Sequence, residues 1–318
     1  MTLEITLAPP DVRHVEHVLP HQLRTWSGQV REVLCVIDSR PIPGLPDPGW
    51  RHWTRELIDI VTAFCEPLPH ARVTTVDYGT TVARSVSSRF FGGKRIPAKT
   101  YRGGPFYAYF FGLHTATNDH ILHLDSDMMF GGGSQTWAAE ALALLEERTD
   151  VLACQPLPGP PTERGEIFAA GAEPERHASL AFRFATFTTR YFLLDRRRLI
   201  ERVGSLDVSR HPPVRRRVGV RSWLRGFVDL APRDRLRLLT LSTLPYELPE
   251  RLIAEAMTRA GLHRVDFLGR EPGMWTLHPQ LRSERYYEHL PELVRRIERG
   301  AITEAQRGHY DLHGSMLS

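Results

Sequence analysis

Two aspartates one residue apart, Asp125 and Asp127, close the run Leu122-His123-Leu124-Asp125-Ser126-Asp127-Met128. Carboxylate oxygens are hard ligands, and a pair of them just past a buried strand can meet one divalent cation or its waters. Such a cation neutralises charge that builds on a departing phosphate. An isolated Asp-x-Asp is usually only a turn, so its setting decides. Here other acids end apolar runs in the same way. Asp38 follows Val33-Leu34-Cys35-Val36-Ile37, and Asp77 follows Arg72-Val73-Thr74-Thr75-Val76. Ligands bind α/β sheets beyond the carboxyl ends of the strands, so these acids are expected to share one edge.

The elements that must position them follow from periodicity. Short continuous apolar runs suit strands buried on both faces, and four are read here: 33–37, 72–77, 120–124 and 151–154. Between them Trp53, Leu57, Ile60, Val61 and Phe64 recur at helical spacing, as do Phe106, Tyr109, Phe110 and Leu113. Ser134 is placed to cap a helix carrying Trp137, Ala141, Leu144 and Leu145. Alternating strands and helices predict an α/β sheet. Residues 1–28 are expected to be an irregular lead-in, 29–130 a first half that carries the strand-end acids, and 131–318 a second half with C-terminal helices. In that second half Phe182 to Leu194 reads as one strand and 273–279 as a loop, with helices beginning at Pro249 and spanning Tyr286 to Ile297.

The chain resembles the A-type glycosyltransferases, especially bacterial family 2-like enzymes, from about Val33 to about Tyr310. The resemblance rests on the strand-end acids, the Asp-x-Asp element and Trp275-Thr276-Leu277-His278-Pro279. It implies a Rossmann-like nucleotide-diphospho-sugar transferase fold: a central mixed, mostly parallel sheet flanked by helices. It implies transfer of a sugar from a nucleotide-diphosphate donor, UDP-linked by analogy, with Mn²⁺ or Mg²⁺, the half 29–130 binding the donor and the half 131–318 the acceptor. Asp38 or Arg40 would contact the nucleoside and Asp77 the base. Asp127 would bind the metal directly, and Asp125 the ribose or a metal-bound water. His278 would be a further metal ligand, since neutral imidazole sits well beside carboxylates. Lys99 and Arg102, before the Gly103-Gly104 turn, would offset phosphate charge. The plain alternative for that loop is a solvated basic turn.

An inverting transferase needs a base for the acceptor hydroxyl. Glu247 and Glu250, in Pro245-Tyr246-Glu247-Leu248-Pro249-Glu250, stand where relatives carry an adjacent Glu-Asp pair, but position 248 is Leu. Acids at a helix start also complement its dipole. With such a base inversion is expected; without one a retaining mechanism follows. The acceptor could be a carbohydrate, a lipid-linked sugar or a small molecule.

Composition narrows the field. The 318 residues are 42% hydrophobic and 25% charged, with a net charge of +4, as in a globular protein. No apolar run reaches the ~20 residues of a membrane helix, and the N-terminus lacks a secretory pattern, so a cytoplasmic address is expected. The three cysteines are spaced for buried thiols rather than a metal. Only Lys94 and Lys99 are lysines. The arginine-dense stretch 195–237 reads as a solvated face, a site for an anionic acceptor, or a peripheral contact with an anionic membrane through Trp223, Leu224, Phe227, Val228 and Leu230. No signature of nucleic-acid binding is present. Two other readings compete. A sugar-1-phosphate nucleotidyltransferase of similar sheet would need a glycine-rich signature after the first strand, where Asp38-Ser39-Arg40-Pro41 stands instead. A non-catalytic anion- or membrane-binding protein would leave the strand-end acids unexplained.

Overall fold

Strand β2 (Glu32–Ile37) is the expected doubly buried strand. Its alternate side chains enter two cores: Val33, Cys35 and Ile37 one, Leu34 and Val36 the other, all at 0% exposure. The computed structural model describes residues 1–41, 49–100, 103–176, 180–208 and 248–317. Around β2 lie β1 (Thr2–Leu7), β3 (Ala71–Thr75) and β4 (His120–Asp125), all parallel. The sheet continues through β6 (Val151–Pro158), β8 (Ala181–Phe184), β9 (Tyr191–Asp195) and β10 (His263–Phe267), with β7 (Glu173–Glu175) at the edge. The order is β3-β2-β1-β4-β9-β6-β10-β8-β7. Along that path β9 and β8 run against the other strands, giving the mixed, mostly parallel sheet expected. It crosses the expected division at 130/131 without a break, because β4 pairs with β9.

Helices cover both faces. On one, α1 (Val15–Trp26), α2 (Trp50–Cys65) and α5 (Trp137–Glu147) bury Trp26, Leu57 and Trp137. On the other, α3 (Thr80–Phe91), α4 (Tyr107–Thr115) and α6 (Pro249–Arg259) bury Phe91, Phe110 and Met257. A third core joins β5 (Met129–Gly131) and β11 (Trp275–Leu277) to the last long helix, α7 (Glu284–Glu298). Cys35, Cys65 and Cys154 are buried free thiols.

The lead-in expected at 1–28 is instead structural core. β1 lies between β2 and β4, and α1 packs behind it. Leu3, Ile5 and Leu7 alternate with Thr2, Glu4 and Thr6, and every one of the six is buried. The polar three are all partnered: Thr2 donates to Glu32 and Glu4 pairs with His123, both far along the chain, while Thr6 donates to Glu4 within the strand. Glu4 also lies against α4 where Gly112 leaves room; a Cβ there would sit 2.5 Å from its Oε1.

Helix α3 is closed at its C-terminus by Gly92 at φ +60°. Two smaller expectations change. The single strand expected from Phe182 to Leu194 is two, β8 and β9. The loop at 273–279 contains β11, which pairs antiparallel with β5. Gly131 is required there, since a Cβ would fall 2.0 Å from the Trp275 ring.

Of the arginine-dense stretch, 209–237 lies outside the described residues. At its start Arg196 and Arg198 are anchored, while Arg197 and Arg202 are exposed. Arg196 pairs with Asp119 and donates to the carbonyls of Leu113 and Ala116, which close α4. Arg198 donates to the Leu145 and Arg148 carbonyls at the end of α5. Guanidiniums satisfy the open carbonyls and the negative dipole of helix C-termini. Among the described residues no helix is long and apolar enough to cross a membrane.

Candidate functional site

Parallel pairing aligns the ends of four strands. Leu7 stands opposite Ile37, Ile37 opposite Thr75, and Thr6 opposite Asp125. Asp38, Asp77 and Asp125 therefore emerge at one edge of the sheet. A cleft of about 220 Å³ opens there, lined among others by Asp11, Lys99, Tyr109, Asp125, Asp127 and Arg282. A larger cavity of about 830 Å³ lies toward α3, and Lys99 forms part of both walls.

Lys99 precedes a turn in which the Thr100 N–H donates to the Gly104 carbonyl and the Gly103 N–H to the Thr100 carbonyl, with Gly103 at φ +83°. Its ammonium donates to Asp38 at 2.7 Å, and both side chains are buried. The second Asp38 oxygen accepts from the Tyr78 hydroxyl at 2.8 Å. Asp38 is thus engaged internally. Arg40 lies over the Tyr78 ring, 4.7 Å from its centroid. Asp77 is exposed and accepts from the backbone N–H of Gly79 at 2.6 Å. Arg102 and Glu247 lie outside the described residues.

Asp125 accepts from the Tyr109 hydroxyl at 2.8 Å and lies 3.5 Å from His123 Nε2. His123 and Glu4 form a hydrogen-bonded pair at 0% exposure. Burial alone would lower the His123 pKa, but the Glu4 and Asp125 carboxylates outweigh it and raise it to about 9. An imidazolium therefore stands behind Asp125 at neutral pH. Tyr109 is held far above its ordinary pKa by burial and then by Asp125, so it remains a donor.

Asp127 is more exacting. Burial raises its carboxyl to about 7, Arg282 opposes the rise, and Asp125 and Asp11 add to it. Arg282 lies 3.7 Å from Asp127 and donates to Asp11 at 3.1 Å. Asp11 is tied back to its own loop by the Ala8 N–H at 2.8 Å. His278 follows β11 and stacks on Tyr310, ring centroids 5.6 Å apart and planes 9° from parallel. Burial, then Arg190 and Arg282, lower its pKa to about 3, so the ring is neutral. Its Nδ1 is buried, makes no hydrogen bond, and lies 3.5 Å from an Asp311 carboxylate oxygen. Arg190 and Arg282 act on both His278 and Asp127.

This donor set has the residue types of a divalent-cation site: a buried carboxylate, a second carboxylate, and a neutral imidazole. Among the described residues, however, no three His, Cys, Asp or Glu side chains are gathered into a metal cage.

Glu250, at the start of α6, reaches the same network. Thr189 donates to it at 3.3 Å, and its carboxyl is raised by burial, with Asp125 adding to the rise. Sequence reasoning passed over Asp11, Tyr109, Arg190 and Arg282. Asp11 is a further acid just past a strand end, invisible until 2–7 is read as a strand. Arg282 stands four residues after His278, a spacing that could have marked it.

No model of a known family matches the chain, and no curated protein matches it. Among solved structures the chain is similar to an active-site mutant of LgtC, at 11% identity and TM-score 0.37, over 97% of this chain and 99% of that one. It is similar to galactosyltransferase LgtC in complex with donor and acceptor sugar analogs, at 9% and 0.38, over 93% and 96%. It is also similar to the glycosyltransferase GlyE of Streptococcus pneumoniae, at 12% and 0.33, over 79% and 45%.

Proposed function

We propose that this chain transfers a glycosyl group from a nucleotide-diphosphate sugar to an acceptor hydroxyl. The observation that carries the reading is the cleft at the carboxyl edge, where Asp11, Asp125 and Asp127 face Lys99 and Arg282. Lys99, paired with Asp38, and Arg282, paired with Asp11, are the cations that line this cleft for a diphosphate, and the carboxylates beside them are there for a cation or for sugar hydroxyls. UDP is the carrier implied by the sequence resemblance.

The acceptor oxygen bonds to the anomeric carbon as the bond from that carbon to the diphosphate breaks. The acceptor proton passes to Glu250, and the nucleoside diphosphate leaves. A carboxylate of raised pKa is a better base near neutral pH than an ordinary one, and Glu250 is such a group. This base fits single displacement with inversion. Asp125, Asp127 and His278 are the residues that would hold Mn²⁺ or Mg²⁺, which when bound neutralises charge on the leaving diphosphate. Tyr109 and His123 fix the Asp125 carboxylate, and Tyr310 fixes the His278 ring.

The nucleotidyltransferase reading fares no better with the corrected first strand. Ala8-Pro9-Pro10-Asp11 follows β1 and contains no glycine. Calorimetric titration of UDP and GDP, with and without Mn²⁺, tests the proposal. Metal-enhanced binding of one of them supports it. Absence of binding by either, in both conditions, removes it.

A further inference from the structure

Helix α1 buries three polar side chains. His14, its N-cap, and His21 and Gln22, seven and eight residues on, share one face, and all three are buried. Buried polar groups need partners, and each of these finds one in the short segment 125–130. His14 Nε2 and the Ser126 hydroxyl are hydrogen-bonded at 3.1 Å. The Phe130 N–H donates to His21 Nε2 at 2.9 Å, while Glu298 holds the other nitrogen of that ring. The Gln22 amide nitrogen donates to the Asp125 carbonyl and to the Met128 carbonyl, each at 2.9 Å.

Asp125 to Met128 is the turn that carries both aspartates of the Asp-x-Asp element. The Met128 N–H closes it on the Asp125 carbonyl at 3.2 Å. Gln22 thus ties both ends of the turn to one amide, whose side chain is 0% exposed. The amide has one sense only: a flip would set its oxygen, which cannot donate, against two carbonyl acceptors. Without it the two carbonyls lose their shared donor, and the turn is released from α1.

We propose that Gln22 is a positioning residue of the site: by clamping both ends of the Asp-x-Asp turn it holds the Asp125 and Asp127 carboxylates in place for a divalent cation, and so sets the affinity for that ion. Groups that act on a metal through its ligands typically change its affinity about ten- to a hundredfold. The proposal rests on the metal-dependent form of the transferase reading.

The test titrates Mn²⁺ into the full chain, alone and at one fixed concentration of UDP, reading free Mn²⁺ by electron paramagnetic resonance, so that no turnover is needed. Gln22→Met keeps the length of the side chain and removes the donor. Gln22→Asn keeps an amide, withdraws it by one methylene, and decides the matter where Gln22→Met does not fold. Val61→Ala, at a buried position of α2, is the control for lost stability. The expected result is Mn²⁺ affinity about ten- to a hundredfold weaker in the folded Gln22 variants and unchanged in Val61→Ala. Equal affinity in a folded Gln22 variant would overturn the proposal. So would a parallel loss in Val61→Ala, which would trace the effect to stability, and failure of both Gln22 variants to fold, which would make Gln22 a core residue only. Each of these leaves the transferase reading standing. Absence of Mn²⁺ binding by the unmodified chain, with and without UDP, would instead remove the metal from that reading and this proposal with it.

Discussion

Replacing Asp127 by Asn should stabilise the protein at neutral and higher pH. The native carboxyl is raised from 3.8 to about 7, first by burial and then by Asp125 and Asp11, with Arg282 only partly offsetting them. The native group therefore keeps its proton to about pH 7, whereas the unfolded chain releases it near pH 4. Stability is unaffected below pH 4, falls as pH rises toward 7, and is flat above. About three pH units at 1.36 kcal/mol each make the ionised form cost up to about 4 kcal/mol. Asn keeps the shape and carries no charge, so it removes this cost. At roughly 2 °C per kcal/mol for a chain of this size, the melting temperature at pH 8 should rise by up to about 8 °C. Differential scanning calorimetry from pH 4 to 8 is the assay, and the gain should vanish at the acid end. A lower melting temperature for Asp127→Asn at pH 8, or a gain independent of pH, would refute the reasoning. Natural sequences retain such an unfavourable group where function uses it.

Three further outcomes follow. Glu250→Gln should lower turnover about a hundredfold or more while nucleotide affinity stays unchanged, measured by nucleotide release and calorimetry. Loss of affinity in parallel with turnover would count against its role as base. His123→Ala should leave the Glu4 charge buried and unpaired and cost about 3–5 kcal/mol in urea unfolding; a cost under 1 kcal/mol would contradict the buried pair. Gly131→Ala drives a methyl into the Trp275 ring and should cost about 1–3 kcal/mol as over-packing of the third core, read by the same unfolding assay.

Much of the frame was legible in the chain because β2, β4 and β6 are apolar on both faces, and only a layered α/β sheet buries such runs. Strand β1 was not legible. Its Thr2, Glu4 and Thr6 look like a solvent face, and the partners of Thr2 and Glu4, Glu32 and His123, stand 30 and 119 residues away. Pro9 and Pro10 form a helical turn directly after the strand, and Pro20 lies within α1. With β1 went Asp11, an acid at the strand end of the same cleft. The Asp-x-Asp element was visible because it directly follows an apolar strand. The Arg282 contacts with Asp11 and Asp127 join segments more than 150 residues apart and leave no local pattern.

The central claim is sugar transfer at the Asp125–Asp127 edge. The most direct measurement is release of nucleoside diphosphate from UDP- and GDP-sugars in the presence of Mn²⁺, comparing the unmodified chain with Asp127→Ala. The account predicts release from one sugar nucleotide by the unmodified chain and its loss in the variant, with the fold retained by circular dichroism. Equal release by both proteins, or none by the folded unmodified chain from any sugar nucleotide, would contradict it.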